Sequence, residues 1–266
     1  MKIINSHAHI YPNKIAKKAT DAIGAFYGIK MDIEEGTTER LIRIEKAAGV
    51  DKIVVHSCAT KPEQVRSINL FIKSEMDAHK EFIGFMTLHQ DLSAEEIESE
   101  IEFGINNGFL GIKLHPDFQK FDIDGEKAHK IYNALNNAKK KLPILFHTGD
   151  NRYEYSKPYR LANVAKEYKG LNFIGAHFGG YRCWDELDCY TGLNNVFFDT
   201  SSSLAFISKE KAVSLIKKFG VEKFFFGDDF PMWDVKEEIK RFDALSLTER
   251  EKELILSKNI EDFLKL

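Results

Sequence analysis

Eight short apolar runs, each followed by a longer segment of helical spacing, set the tightest limit on what this chain can fold into. The runs are "KIINSHAH", "DKIVVHS", "EFIGFMTLH", "FLGIKLHP", "LPILFHTG", "LNFIGAHFGG", "NVFFDTSS" and "KFFFGDDFP". Each is rich in β-branched or aromatic residues, the composition of a buried strand. Between them lie segments such as "TTERLIRIEKAAG", "PEQVRSINLFIKSEMDAH", "SAEEIESEIEFGINNG", "GEKAHKIYNALNNAKKK" and "SKEKAVSLIKKFG". Their apolar residues recur three and four apart, and they often open with Ser, Thr or Pro and close at Gly. Over 266 residues the units average about 33 each, room for a strand, a helix and a right-handed return. The pattern predicts an α/β chain forming one (β/α)8 TIM barrel domain over residues 1–266. The last segment, "DVKEEIKRFDALSLTEREKELILSKNIEDFLKL", supplies two or three C-terminal helices that close the outer ring. An open doubly wound sheet is the competitor, but no Gly-x-Gly-x-x-Gly turn follows the first run.

Composition excludes several classes of function. Thirty-eight basic residues against 41 acidic ones leave a formal charge of −3. The signs are interspersed, so neither nucleic acid nor a membrane surface is expected as a partner. Lys139 to Lys141 and Lys217 to Lys218 fall near helix ends, where cations suit the dipole. Three cysteines, Cys58, Cys183 and Cys189, form no Cys-x-x-Cys pair, which argues against a disulfide framework or a thiolate zinc site. The first strand-like run begins almost at Met1, and no apolar run reaches the length of a membrane span. The expectation is a cytoplasmic protein with a small-molecule substrate.

Polar residues gather where a parallel barrel places reactive groups, at the carboxyl ends of its strands. Alternation puts Ile3, Asn5, His7 and His9 on one face of the first strand, with His7 and His9 adjacent at its exit. Nine histidines in 266 residues would place two of them one residue apart roughly 0.3 times by chance, so the pair needs company. Strand five supplies His147 at its end and strand six supplies His177. Strand eight ends in Asp228 and Asp229, of which only one can point inward. Nitrogen and carboxylate ligands without thiolates suit one divalent ion, zinc first, with manganese, iron, cobalt or nickel also compatible. His56, His79, His89 and His129 stand in no comparable constellation and are left outside the predicted site.

"HAH", "GIKLHP", "HTG", "AHFGG" and "FGDDFP" together resemble the amidohydrolase superfamily over nearly the whole chain. The likeness points to its amidohydrolase-related branch, which includes aminocarboxymuconate semialdehyde decarboxylase-like enzymes. It implies that His7, His9, His147 and Asp229 bind the metal, with Asp228 standing where the family usually has Ser or Thr. His177 is then a polarising acid or base beside the substrate. Strand four puts Gly111, Lys113 and His115 on one face. Lys113 is either a carboxylated bridge to a second metal or, as expected here, a lysine paired to a carboxylate; His115 touches either substrate or a second ion. Asp199 on strand seven can accept the second ring proton of a ligand histidine. Arg152 and Arg182 follow strands five and six, where either can clamp a substrate carboxylate. A homodimer is common in that branch.

Three functions follow. Hydrolysis of a small amide, ester or lactone leads, with a metal-activated water, Asp229 as the base and His177 stabilising the oxyanion. Non-oxidative decarboxylation of a small unsaturated or aromatic acid on the same metal is the alternative. A barrel that binds but no longer catalyses is the third reading, and the intact ligand set argues against it.

Overall fold

A computed structural model describes all 266 residues. Eight parallel strands run in sequence order: β1 Ile4–His9, β2 Lys52–His56, β3 Phe82–Thr87, β4 Gly111–Leu114, β5 Ile144–Phe146, β6 Phe173–Gly175, β7 Val196–Asp199 and β8 Phe224–Phe225. The last returns to the first: Ser6 N–H donates to the Phe226 carbonyl at 2.8 Å and His9 N–H to the Phe230 carbonyl at 2.8 Å. With helices between the strands, this is a (β/α)8 TIM barrel, as the alternation of runs predicts. β1 and β3 are buried along their whole length, the pattern of strands covered on both faces.

Local chemistry sets the helix ends. Ser93 accepts from Glu96 N–H while Glu96 reaches back to Ser93 N–H, a capping box that starts Ala94–Asn106. Thr37 Oγ1 accepts from Arg40 N–H at 3.2 Å to cap Thr38–Ala48, and Gly49, at φ 81°, ends it in the left-handed region. The chain closes with helices Val235–Asp243, Glu249–Glu253 and Asn259–Leu264, the last two joined by a π-helical turn. No helix is long and apolar enough to cross a membrane.

Two local departures from the expected strands matter for the site. Pairing of β1 with β2 slips between Asn5 and Ala8, so alternation along the first strand is interrupted just where His7 lies. β6 stops at Gly175, and His177 sits beyond it in a tight turn, because His177 and Phe178 both adopt positive φ, 60° and 57°.

Close contacts group the residues into two compact units. One comprises Met1–His56, His79–Ile83 and Asp199–Leu266; the other comprises Ser57–Ala78 and Gly84–Phe198.

Candidate functional site

In the first unit, the exit of β1 meets the residues that follow β7 and β8. His7 is fully buried, and its Nδ1 lies 2.8 Å from Asp199 Oδ2. A carboxylate can only accept, so Nδ1 carries the proton and Nε2 is the lone-pair nitrogen. Ser201 Oγ donates to Asp199 Oδ1 at 2.5 Å and lies 3.1 Å from His7 Nδ1, which fixes the carboxylate and the ring together. His7 Nε2 faces Asp229 Oδ1 at 3.3 Å, and His9 Nε2 faces the same oxygen at 3.4 Å.

This donor set fits a cation. The His7 nitrogen and the Asp229 oxygen both turn lone pairs toward one another, an arrangement that positive charge relieves. Ligands about 2.0–2.2 Å from an ion lie roughly 3.3–3.6 Å apart along a tetrahedral edge, the spacing found between Asp229 and the two histidines.

A third imidazole joins them. His56, at the end of β2 and fully buried, has its ring centroid 4.8 Å from that of His7 and 4.4 Å from that of His9. Ligand atoms of His7, His9 and His56 all lie within 4.8 Å of one another. The sequence reading left His56 out, although it obeys the rule used for the others: it is the last residue of a strand.

Asp228 and Asp229 part company. Asp228 Oδ1 accepts from Asn5 Nδ2 at 2.7 Å and from Phe230 N–H at 2.9 Å. The same Asn5 amide nitrogen donates to Glu45 Oε1 at 2.9 Å, while Asn5 Oδ1 accepts from His7 N–H at 3.1 Å. Burial pushes the Asp228 carboxyl up to about 6 and holds Glu45 well above its ordinary value, with the nearby Asp228 charge adding to the rise. Asp229 instead turns Oδ1 to the histidines and gives Oδ2 to the Ser202 hydroxyl at 2.5 Å.

The second unit carries the other predicted residues. His115 ends up between two rings, 3.7 Å from Phe118 and 4.1 Å from His147 by centroid, and nearly parallel to both. Its Nδ1 accepts from Phe118 N–H at 3.3 Å, capping the short helix Pro116–Gln119. His147 Nε2 lies 2.9 Å from the Gly149 carbonyl and 3.4 Å from Asp117 Oδ2, both acceptors. Its proton therefore sits on Nε2, and Nδ1 is the nitrogen with a lone pair. That Nδ1 is 3.0 Å from His177 Nε2. The Trp184 indole donates to the His177 carbonyl at 3.0 Å, and Tyr181 packs 5.7 Å from the His177 ring. Lys113 is buried, and its carbonyl accepts from Thr87 Oγ1.

Two acidic residues here went unread in the sequence. Asp117, His147 and Asp150 bring ligand atoms within 4.8 Å of one another. Arg152 already neutralises Asp150, with Nη2 at 2.7 Å and Nε at 2.9 Å, and Ser156 donates to Asp117 Oδ2 at 2.6 Å. Burial raises the Asp117 carboxyl to about 7. Both acids thus hold the loops around His147 more naturally than they hold a cation. Arg182 is exposed, with its guanidinium 5.6 Å from the centre of the Tyr181 ring.

Similarity to known proteins covers the whole chain. An uncharacterized TIM-barrel protein from Bordetella bronchiseptica matches with a TM-score of 0.82 at 16% identity, over 100% of this chain and 99% of that one. A 5-carboxyvanillate decarboxylase from Novosphingobium aromaticivorans, complexed with manganese and 4-hydroxy-3-methoxy-5-nitrobenzoic acid, matches with a TM-score of 0.78 at 17% identity, over 100% and 96%. A dihydroxybenzoic acid decarboxylase from a Polaromonas species, with manganese and the inhibitor 2-nitroresorcinol, gives 0.75 at 14% identity, over 100% and 97%. No curated protein matches by sequence. The amidohydrolase family model spans residues 4–266, and the chain belongs to that family.

Proposed function

We propose that this amidohydrolase-family member is a metal-dependent, non-oxidative decarboxylase of a small aromatic acid that carries an oxygen beside its carboxylate. The observation that carries the reading is the convergence of His7 Nε2 and His9 Nε2 on one oxygen of Asp229, at 3.3 and 3.4 Å. Full-length structural relatives that decarboxylate hydroxylated aromatic acids, two of them with manganese, support this reaction over the hydrolysis favoured from sequence.

His7, His9 and Asp229 are the proposed ligands, and the strand-exit pattern of the sequence adds His147. Manganese or zinc suits this nitrogen and oxygen set. A divalent ion held by these residues would supply positive charge that stabilises an anionic substrate. In the reaction the bond between ring carbon and carboxylate carbon breaks, CO₂ leaves, and the electron pair left on the ring carbon takes a proton. Asp229 and His177 are the residues proposed to move that proton. His115, stacked between Phe118 and His147, is proposed to bind the substrate. Arg152 and Arg182 are proposed to bind the substrate's charge. A carboxylate at Arg152 must compete with Asp150.

The test loads the protein with Mn²⁺ or Zn²⁺ and offers dihydroxybenzoates, a carboxyvanillate, lactones and amides, following CO₂ and acid release separately. CO₂ matched by decarboxylated arene is expected. Asp229→Asn should fold normally and lose at least about 100-fold in turnover. Acid release without CO₂ would return the assignment to hydrolysis.

A further inference from the structure

We infer that Ser202 is a positioning residue for Asp229, one that takes up a carboxylate oxygen so that only the other is presented to the ion; the inference rests on the metal-site reading above. The segment leaving β7, Asp199-Thr200-Ser201-Ser202, commits every side chain to β1 or to the residues after β8. Asp199 and Ser201 hold His7, and Thr200 Oγ1 accepts from Gly227 N–H at 3.1 Å. Ser202 Oγ donates to Asp229 Oδ2 at 2.5 Å.

The direction of that bond is fixed from behind. The Trp233 indole N–H donates to Ser202 Oγ at 2.9 Å, and an indole can only donate. The hydroxyl's own proton must then find another acceptor. Met232 Sδ, at 3.0 Å, is a weak one, whereas Asp229 Oδ2 is a carboxylate. The order is therefore Trp233 to Ser202 to Asp229. Trp233 is itself held, with Phe206 edge-on at 5.5 Å and the Arg241 guanidinium 5.3 Å from its ring centre.

Backbone geometry points the same way. Ser202 and Asp229 both lie in the left-handed region, at φ 50° and 67°, which non-glycine residues seldom adopt. The two residues whose side chains meet are thus both held in an unfavourable conformation, a pattern that clusters where geometry serves function. Without the hydroxyl, the carboxylate can rotate or offer both oxygens at once.

Ser202→Gly tests this, because glycine accepts the φ of 50° while removing the hydroxyl, so the fold is spared. Mn²⁺ alone is titrated and followed by electron paramagnetic resonance, alongside turnover of the substrate found to release CO₂. The variant should keep the wild-type circular dichroism spectrum and still bind Mn²⁺, with an altered paramagnetic resonance spectrum. Its kcat should fall about 10- to 100-fold with KM changed less than about threefold. Trp233→Phe should move the resonance spectrum and kcat in the same direction by less. A wild-type resonance spectrum and kcat in Ser202→Gly would overturn the inference alone. Wild-type protein that binds no Mn²⁺ would overturn the metal reading, and this inference with it.

Discussion

Asp199 shows how one side chain decides what a histidine can do. Its carboxylate accepts from His7 Nδ1–H at 2.8 Å and leaves the Nε2 lone pair facing Asp229. An asparagine there can also donate to Nδ1, which would drive the proton to Nε2 and block it as a ligand. Asp199→Asn should therefore weaken Mn²⁺ or Zn²⁺ binding about 10- to 100-fold, read by chelator competition, while circular dichroism stays that of the wild type. Unchanged affinity would mean that Asp199 serves the fold only. Such partners are partly visible in sequence: alternation along β7 placed Asp199 on a productive face. Ser202 was not visible, because its left-handed backbone takes it off any strand or helix period.

At the scale of elements, the strands and capped helices could be read because each carries its own period and end signals, as in Ser93 to Glu96. Beyond the last residue of a strand, residues such as His177 could be named but their conformation could not be read, and Asp117 and Asp150 were not named. His177 falls in a turn after β6, Asp117 sits in the short helix Pro116–Gln119 bonded to the distant Ser156, and Asp150 sits in a loop held by Arg152. His56 is the exception; its place at the end of β2 was in plain view, but a lone histidine gave no partner until β1 paired beside it. Helix Val235–Asp243 illustrates a cost hidden from sequence. Its Glu238 is buried, and burial raises that carboxyl from 4.5 to about 7 even with Arg241 bonded to it. Below about pH 4.5 both folded and unfolded carboxyls are protonated, so nothing is lost. As pH rises toward 7 the unfolded chain ionises first, and stability falls until the folded group ionises too. Glu238→Gln should remove this slope, gaining on the order of 3 kcal/mol over wild type between pH 4.5 and 8. Urea unfolding of the metal-free protein at several pH values would show it; parallel curves for the two proteins would refute the burial argument.

For the whole molecule, the decisive fact is that three of the proposed ligands come from opposite ends of the chain, His7 and His9 on the first strand and Asp229 just after the eighth. An unfolded chain cannot hold them together, so an ion bound by all three binds the native state almost alone, and its binding free energy adds to the stability of the fold. Free metal at 100 times its dissociation constant should contribute about 2.7 kcal/mol. For a chain of 266 residues, each kcal/mol moves the melting temperature by about 2–4 °C, so a rise of roughly 5–10 °C is expected. A chelator should reverse it, and Asp229→Asn, which keeps the shape but removes the anionic ligand, should show little of it. Calorimetric scans with and without Mn²⁺ make the comparison directly. A rise of equal size in wild type and Asp229→Asn would place the ion elsewhere on the protein and detach the convergence of His7, His9 and Asp229 from metal binding.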